Sequence, residues 1–337
     1  GIKILVFFPN DGVSKVQEKQ MITQEGNNTY VYAINGNFDD AQSEVKKIFT
    51  NEEIKEKLKK KNYSLSSANS INIGRLVPQI VYYFYSYMKL VERNEIVLGE
   101  KVNFAVPTGN FGDILAGYYA ELMGLPVNKL ICASNENNVL YDFIKTGTYD
   151  RNRSFYKTLS PSMDILISSN LERLIYHLSK NDNKYVKHLM AELKSNGKYT
   201  VSQEIKNRIN NLFYAGYTTD LQTRETIKNV YNEYNYLLDT HTAVAYNVMK
   251  EFKEKDSRHK NIVLATASPY KFSKAVYESL FGENNSDEFK IMELLNEKTK
   301  VPIPENLRTL KNKKDIHTSV INKKDMKNCF EVILWLL

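Results

Sequence analysis

The sequence predicts an α/β fold with mostly parallel sheets and flanking helices. Short runs of apolar, β-branched and aromatic residues alternate with helical patterns, and this strand–helix rhythm is typical of parallel pairing. The runs have the composition of strands that are buried on both faces. Loops with glycine and hydroxyl residues follow several of these strands, and α/β folds bind ligands at such places. The fold class therefore also indicates where a binding site lies.

The first part of the chain contains two predicted strand–helix units. Residues 2–8 (IKILVFF) and 30–34 (YVYAI) are predicted to form buried strands. After the first strand and its turn, Ser14 can cap a helix. After the second strand, Asn37 and Asp39 can start another helix.

The rest of the chain continues this pattern with one interruption. A polar loop and a tyrosine-rich helix are predicted over 64–90, and buried strands over 102–106 and 130–133. Strand signals stop between about 150 and 240, which predicts an inserted helical lobe. The sheet is predicted to resume at 262–265.

Composition is that of a globular protein and argues against several classes of function. Of the 337 residues, 42% are hydrophobic and 25% are charged, and the formal net charge is +7. Lysines alternate with glutamates, as in 51–62 (NEEIKEKLKKKN), which favours solvated helix faces over a nucleic-acid surface. Cys132 and Cys329 lack metal-binding spacing, which indicates a cytosolic protein without a metal site. The apolar runs at 2–8 and 332–337 are too short to span a membrane.

The strongest candidate site is the loop at 107–113 (PTGNFGD), between a predicted strand and a predicted helix. Gly109 and Gly112 let the backbone approach a ligand closely, and the first N–H groups of a helix lack partners within it. These features indicate a phosphate cradle. A tight turn whose glycines serve sterics alone is an equally good interpretation of the residues.

Three further segments carry groups that can bind anions or transfer protons. The run at 68–75 places Ser70 and Asn72 before Arg75, whose planar fork suits phosphate, although an N-cap loop with a surface arginine is favoured. Thr266 follows a predicted strand directly and can aim a hydroxyl into the cleft, although an ordinary capping turn is favoured there. His241, near a predicted helix start, is more typical of a capping or packing residue than of a catalyst.

Five long runs of this sequence resemble the threonine synthase family. They are SANSINIGRLVPQIVYYF, VPTGNFGDILAGYYAELMGLP, LSPSMDILISSNLERL, DTHTAVAY and ATASPYKF, and the similarity extends over roughly residues 2–282. The resemblance implies fold type II, the tryptophan synthase β-like fold of pyridoxal 5'-phosphate (PLP) enzymes. It also implies the last step of threonine biosynthesis, a carbon–oxygen lyase reaction that converts O-phospho-L-homoserine and water to L-threonine and phosphate.

The resemblance also implies roles for particular residues. Thr266 matches the hydroxyl that faces the pyridine nitrogen of the cofactor. The cradle for the cofactor phosphate maps onto Gly109, Asn110, Phe111, Gly112 and Asp113. The residues expected to hold the substrate phosphate are Ser70, Asn72, Arg75 and Asn110.

The same resemblance implies a division of the chain. Residues 1–60 would be the remainder of a smaller N-terminal α/β domain, and 61–282 a large PLP-binding domain that includes the helical insertion. Residues 283–337 would be a C-terminal extension of uncertain structure. Monomer and homodimer both stay open.

Some residues depart from the family pattern. Ser268 stands where the family usually has histidine, and Lys15 where it has proline. The family's Schiff-base lysine lies in a Phe-Lys-Asp motif upstream of an SGDTG loop, and neither motif occurs in this chain. Lys15, Lys19 and Lys271 are not replacements by position. Both ends also look cut, and we expect an incomplete portion that is inactive alone.

Two other interpretations remain beside this one. The first is a related PLP-dependent phospho-lyase that acts on phosphorylated amino acids. The second is a non-catalytic phosphate-binding α/β protein, which would be favoured if the lysine motif were also absent from the upstream reading frame of the natural gene.

Overall fold

The computed structural model describes residues 1–70 and 72–335. The strands are β1 (Ile4–Pro9), β2 (Thr29–Asn35), β3 (Val102–Pro107), β4 (Val127–Ser134), β5 (Thr148–Asp150), β6 (Lys198–Thr200), β7 (Phe213–Tyr217), β8 (Lys260–Val263) and β9 (Val320–Asn322). The helices are α1 (Lys15–Ile22), α2 (Phe38–Thr50), α3 (Glu52–Lys60), α4 (Ile73–Leu76), α5 (Ile80–Glu92), α6 (Gly112–Leu122), α7 (Val139–Thr146), α8 (Leu171–Leu178), α9 (Asn183–Asn196), α10 (Gln203–Leu212), α11 (Asp220–Tyr234), α12 (Thr240–Lys253), α13 (Ser273–Phe281), α14 (Glu288–Thr299), α15 (Glu305–Arg308) and α16 (Met326–Trp335).

The chain forms two compact units, Gly1–Ser66 with Tyr270–Leu337, and Ser67–Pro269. The first unit contains a parallel sheet in the order β1–β2–β9. Its helices α1 and α2 begin at capping boxes formed by Ser14 and Asn37, as predicted for these two residues. The side chain of Asp39 lies outside the described part of the structure.

The segment after residue 282, predicted to be of uncertain structure, is built into the first unit. Strand β9 pairs with β2, with Ile321 opposite Ile34. Met326, at the start of α16, is buried with Ile34, Ile54 and other apolar residues of the N-terminal segment. The proposed division at residues 60 and 282 stays a prediction about folding domains.

The second unit contains a parallel sheet in the order β7–β4–β3–β8. Side chains alternate between its two faces, as in any strand. Phe104 and Cys132 belong to the apolar cluster that includes residues of α6, whereas Ala105 packs with Val244 and Val248 of α12. The sheet is therefore covered on both faces, which explains why consecutive residues in the middle of its central strands are apolar, as in Phe104-Ala105-Val106.

The stretch at 150–240 is mainly helical, but the prediction that strand signals stop there is wrong at two places. The short strand β6 pairs antiparallel with β5, and β7 joins the main sheet beside β4. Strand β7 follows α10 directly and contains Gly216, where an added Cβ would lie 2.6 Å from Val248 Cγ1. A five-residue buried strand next to a helix cannot be separated from that helix by hydrophobic periodicity.

The strands predicted from the sequence are otherwise confirmed to within three residues at each end. In the part of the chain that the structure describes, which stops short of residues 336 and 337, no helix is long and apolar enough to cross a bilayer.

Candidate functional site

The candidate site lies at the carboxyl edge of the sheet in the second unit. Strand β3 ends at Pro107 and leads into α6, while β8 ends at Val263 shortly before Thr266. The two strands are parallel neighbours, with Ala105 opposite Val263, so the loops that follow them start at the same edge. Thr266 is exposed, and its hydroxyl is hydrogen-bonded to none of the described residues.

The start of α6 is buried and has no side-chain cap. Phe111, the residue before the helix, is in the left-handed conformation with φ 61° and ψ 11°. Its ring is 1% exposed and packs against Phe213, with 5.7 Å between centroids. The first-turn N–H groups of a helix lack partners within the helix, and the helix dipole gives them positive character. This helix start can therefore receive an anion.

Contacts within the protein leave little room for a Cβ at either glycine of the loop. A Cβ at Gly109 would lie 3.0 Å from the carbonyl oxygen of Ser162 and 3.1 Å from the Cα of Met163. A Cβ at Gly112 would lie 3.1 Å from the Cβ of Ser70. The steric interpretation of the glycines thus has direct support, and the second contact brings Ser70 against the start of α6.

Asn170 connects the Ser70 loop to the glycine loop. Its Nδ2 donates to Ser70 Oγ at 2.8 Å and to the carbonyl oxygen of Asn110 at 2.8 Å. Arg173 donates to the carbonyl oxygen of Ser70 at 2.8 Å and to Asn170 Oδ1 at 2.5 Å. Neither Asn170 nor Arg173 was a predicted site residue. The signal for them was the run LISSNLERL, which contributed to the family resemblance without an assigned role.

Asn72 and Arg75 make the contacts of an N-cap loop. Asn72 Oδ1 accepts from the amide of Gly74 at 2.9 Å, and its Nδ2 donates to the carbonyl oxygen of Ser67 at 3.1 Å. Arg75 is exposed and donates from Nε to the carbonyl oxygen of Ala68 at 3.2 Å. Asn72 thus shapes the loop, while the guanidinium of Arg75 reaches solvent.

The side chain of Asp113 is directed towards α5. Tyr83 donates its hydroxyl proton to the carbonyl oxygen of Asp113 at 2.7 Å, and its oxygen lies 3.2 Å from Asp113 Oδ1. Burial raises the pKa of Asp113 from 3.8 to about 6, and the Tyr83 hydrogen bond opposes this rise. A bound anion would therefore meet the backbone N–H of Asp113 rather than its carboxyl group.

The start of α12 is closed by side chains. Asp239 Oδ1 accepts from the amides of His241 at 2.9 Å and Thr242 at 3.3 Å. His241 is 3% exposed, and its Nε2 accepts from the amide of Ser162 at 3.2 Å. Because Nε2 accepts, the ring proton is on Nδ1, which lies 3.2 Å from Asp239 Oδ1. His241 thereby supports the turn that packs against Gly109, consistent with the packing role predicted for it.

Ser134 adds a polar group at the same edge of the sheet. It is 1% exposed at the end of β4, and its Oγ has no hydrogen-bond partner within residues 1–70 and 72–335. Its neighbour Ala133 accepts a hydrogen bond from the amide of Thr108, the first residue after β3. A buried hydroxyl without a partner, near a helix start without a side-chain cap, is compatible with an anion site. Over the same residues, no group of three or more His, Cys, Asp or Glu side chains could hold a metal ion.

The chain is similar to known proteins in sequence and in fold. Residues 242–333 match the family model "Threonine synthase, C-terminal". The chain is 38% identical over 299 residues to threonine synthase from Saccharomyces cerevisiae, with 84% of this chain and 57% of that protein covered. It is 40% identical over 281 residues to "Threonine synthase-like 1" from Homo sapiens, with 83% of this chain and 38% of that protein covered.

A solved structure of PLP-bound threonine synthase from Brucella melitensis superposes with a TM-score of 0.81 at 37% identity. The match covers 99% of this chain and 65% of that one. Over most of its length the chain is similar to threonine synthases. It has the α/β architecture of the family, fold type II, and it spans little more than half the length of the yeast relative.

Proposed function

We propose that this chain carries the phosphate-binding loops of a PLP-dependent threonine synthase. The reaction converts O-phospho-L-homoserine and water to L-threonine and phosphate, in the cytoplasm, as the last step of threonine biosynthesis. The observation that carries the proposal is the contact of Ser70 with the uncapped start of α6 at Gly112. This contact places the loop at 68–75 beside the loop at 107–113, and the family resemblance implies a phosphate-binding role for both.

The residues at the start of α6 fit the phosphate of the cofactor. Gly109, Asn110, Phe111, Gly112 and Asp113 form a turn in which Phe111 and Gly112 are buried, and α6 has no side-chain cap for its first N–H groups. Thr266 stands at the end of the neighbouring strand, where its hydroxyl can face the pyridine nitrogen. When bound, PLP supplies an electron sink for carbanion character at the substrate Cα. A neutral hydroxyl partner leaves the ring nitrogen less fully protonated than a carboxylate would.

The loop at 68–75 fits the phosphate of the substrate. Ser70 offers a hydroxyl donor, and Arg75 offers an exposed guanidinium that forms paired hydrogen bonds with phosphate oxygens. Asn72 keeps the loop in shape through its hydrogen bonds to Ser67 and Gly74. Donors on a departing phosphate stabilise the charge that develops there, so this loop would assist the loss of phosphate from Cγ.

The cofactor lysine is the part that these residues do not supply. The Phe-Lys-Asp and SGDTG motifs are absent from the sequence, Lys15 is paired with Glu18, and Lys19 is paired with Asp315. We therefore expect that the chain alone binds the cofactor weakly and releases no phosphate from O-phospho-L-homoserine.

Phosphate release tests the proposal in two steps. The chain alone should release no phosphate from O-phospho-L-homoserine above a control without enzyme. A longer polypeptide that joins this chain to a Phe-Lys-Asp and SGDTG segment should release phosphate and form threonine in equal amounts. Release of phosphate by the chain alone would show that another lysine performs the task.

A related phospho-lyase is the second candidate, because "Threonine synthase-like 1" is as similar in sequence as the yeast enzyme. The products separate the two functions. Threonine synthase returns one threonine for each phosphate, whereas a phospho-lyase that eliminates phosphate releases a 2-oxo acid and ammonia. Saturable phosphate binding by the longer polypeptide without any product would instead indicate a non-catalytic phosphate-binding protein.

A further inference from the structure

We propose that Asn170 is a positioning residue that joins the two phosphate loops and aims the hydroxyl of Ser70 at a bound anion. The identity of that anion, the substrate phosphate, rests on the proposed function. The position of Ser70 relative to α6 is independent of the proposed function, because contacts between protein groups determine it.

The carboxamide of Asn170 uses its full hydrogen-bonding capacity within the protein. Its two N–H groups serve Ser70 Oγ and the carbonyl oxygen of Asn110, both at 2.8 Å, and its oxygen accepts from Arg173. Arg173 can only donate, so it determines which end of the carboxamide carries the oxygen. Asn170 is 1% exposed, and removal of the carboxamide would break its hydrogen bonds to three partly buried residues.

Asn170 does not use its side chain for the local task that its position offers. It is the N-cap residue of α8, where asparagine commonly caps the helix, yet α8 has no side-chain cap hydrogen bond. The side chain is turned towards residues that lie 100 and 60 positions away in the sequence. A residue selected only to start α8 would have no reason to take this orientation.

The orientation of Asn170 has a consequence for Ser70. Because Ser70 Oγ accepts the hydrogen bond from Asn170, its own proton points elsewhere. None of the described residues accepts that proton, and the Ser70 side chain lies against the first residue of α6. The hydroxyl is thus held as a donor beside helix N–H groups, which is the arrangement that a phosphate requires.

Two variants in the same turn separate positioning from local structure. Asn170→Asp keeps the volume, the acceptor for Arg173 and the ability to cap α8, but it loses both donors. Ser168→Ala is the matched control, because Ser168 Oγ donates to the carbonyl oxygen of Gly109, also at 2.8 Å, and has no hydrogen bond to the Ser70 loop. Asn170→Ala removes the same donors without introducing a carboxylate, so it shows whether the new charge alone disturbs the site. Circular dichroism checks that this variant keeps its helix content.

The measurement is amide hydrogen exchange in the peptide at 66–76, with and without inorganic phosphate. Both Asn170 variants should exchange about tenfold faster there than the parent chain, and Ser168→Ala should match the parent. Phosphate should slow exchange in the parent and have no effect in the Asn170 variants. Equal exchange in parent and both Asn170 variants without phosphate would overturn the proposal. If phosphate fails to slow exchange in the parent, the proposed phosphate site is contradicted. The positioning role of Asn170 is then judged by the exchange rates of parent and variants without phosphate.

Discussion

Two helices of the second unit, α6 and α12, begin in opposite ways. At α12, Asp239 accepts the first amides of the helix, and its Oδ2 accepts from the hydroxyl of Thr242. At α6, the preceding residue is Phe111, which offers no acceptor and is buried in a left-handed conformation. A helix start is therefore available to a ligand when its N-cap residue has no side-chain acceptor for the first N–H groups.

The buried helix start also requires that the chain be held in an unfavourable local conformation. A bulky residue with positive φ is rare, because the backbone conformation costs free energy that other contacts must offset. Phe111 obtains those contacts from the core, where its ring meets Phe213. At α12 the conformation before the helix is extended, with φ −79° and ψ 166° at Asp239, and no such compensation is needed.

The largest expected effect comes from removing the ring that holds the start of α6. Phe111→Ala should lower the free energy of unfolding by about 3–5 kcal/mol, because it empties a buried aromatic site. Denaturant unfolding of the purified chain measures this change. A loss below about 1 kcal/mol would mean that the turn at 109–112 does not depend on this ring.

The next largest effect on the free energy of unfolding is expected from removing the N-cap side chain of α12. Asp239→Ala should cost about 2–4 kcal/mol, because the cap is lost and the buried partners of the carboxylate remain. Asp239→Asn is the matched control, since it keeps an acceptor for the first amides, and it should cost less than half as much. Equal losses for the two variants would show that the charge, not the cap, stabilises α12.

A smaller effect on the free energy of unfolding, of opposite sign, is expected from removing the ionisable carboxyl group of Asp113 in the first turn of α6. Burial raises the folded-state pKa of Asp113 to about 6 from 3.8, so between these values the folded chain keeps a proton that the unfolded chain has released. The contribution of Asp113 to stability therefore falls as the pH rises through this window. Asp113→Asn has no proton to lose, and its stability relative to the parent should increase by up to about 3 kcal/mol from pH 4 to pH 7.

Unfolding of parent and Asp113→Asn at a series of pH values gives that difference directly. A difference that stays constant from about pH 4 to pH 7 would show that Asp113 titrates normally in the folded chain.

The smallest effect on stability is expected at the ligand side of the site. Arg75 is exposed, so Arg75→Gln should change the free energy of unfolding by less than about 0.5 kcal/mol. It should nevertheless weaken inorganic phosphate binding about tenfold, because a charged, two-pronged donor is lost. Arg93→Gln, at the far end of α5, makes the same change of charge and should leave phosphate affinity unaltered. Calorimetric titration of the three proteins with phosphate measures these affinities.

Local features of the fold were predictable because their causes are local. The capping roles of Ser14 and Asn37 depend on residues within four positions, and they are confirmed. Strands β1 to β4 were found because their apolar runs are bounded by turn residues. Strand β7 was missed because its five residues continue a helix without a break in hydrophobicity, and its place beside β4 depends on pairing with residues some 80 positions earlier.

The candidate site was predictable only in part. The loop at 107–113 and Thr266 follow strands in the sequence, so their position at one sheet edge could be inferred. The crowding at the glycines could not be inferred, because the atoms that a Cβ at Gly109 would approach belong to Ser162 and Met163.

The amino-acid sequence by itself determined the α/β class, the capping residues of α1 and α2, and the resemblance to threonine synthases, because periodicity, capping and motifs are properties of neighbouring residues. The tertiary structure decided which distant groups meet. Ser70 reaches the start of α6 and the carboxamide of Asn170 only through the packing of segments 40 and 100 residues away in the chain, and no local pattern encodes such contacts.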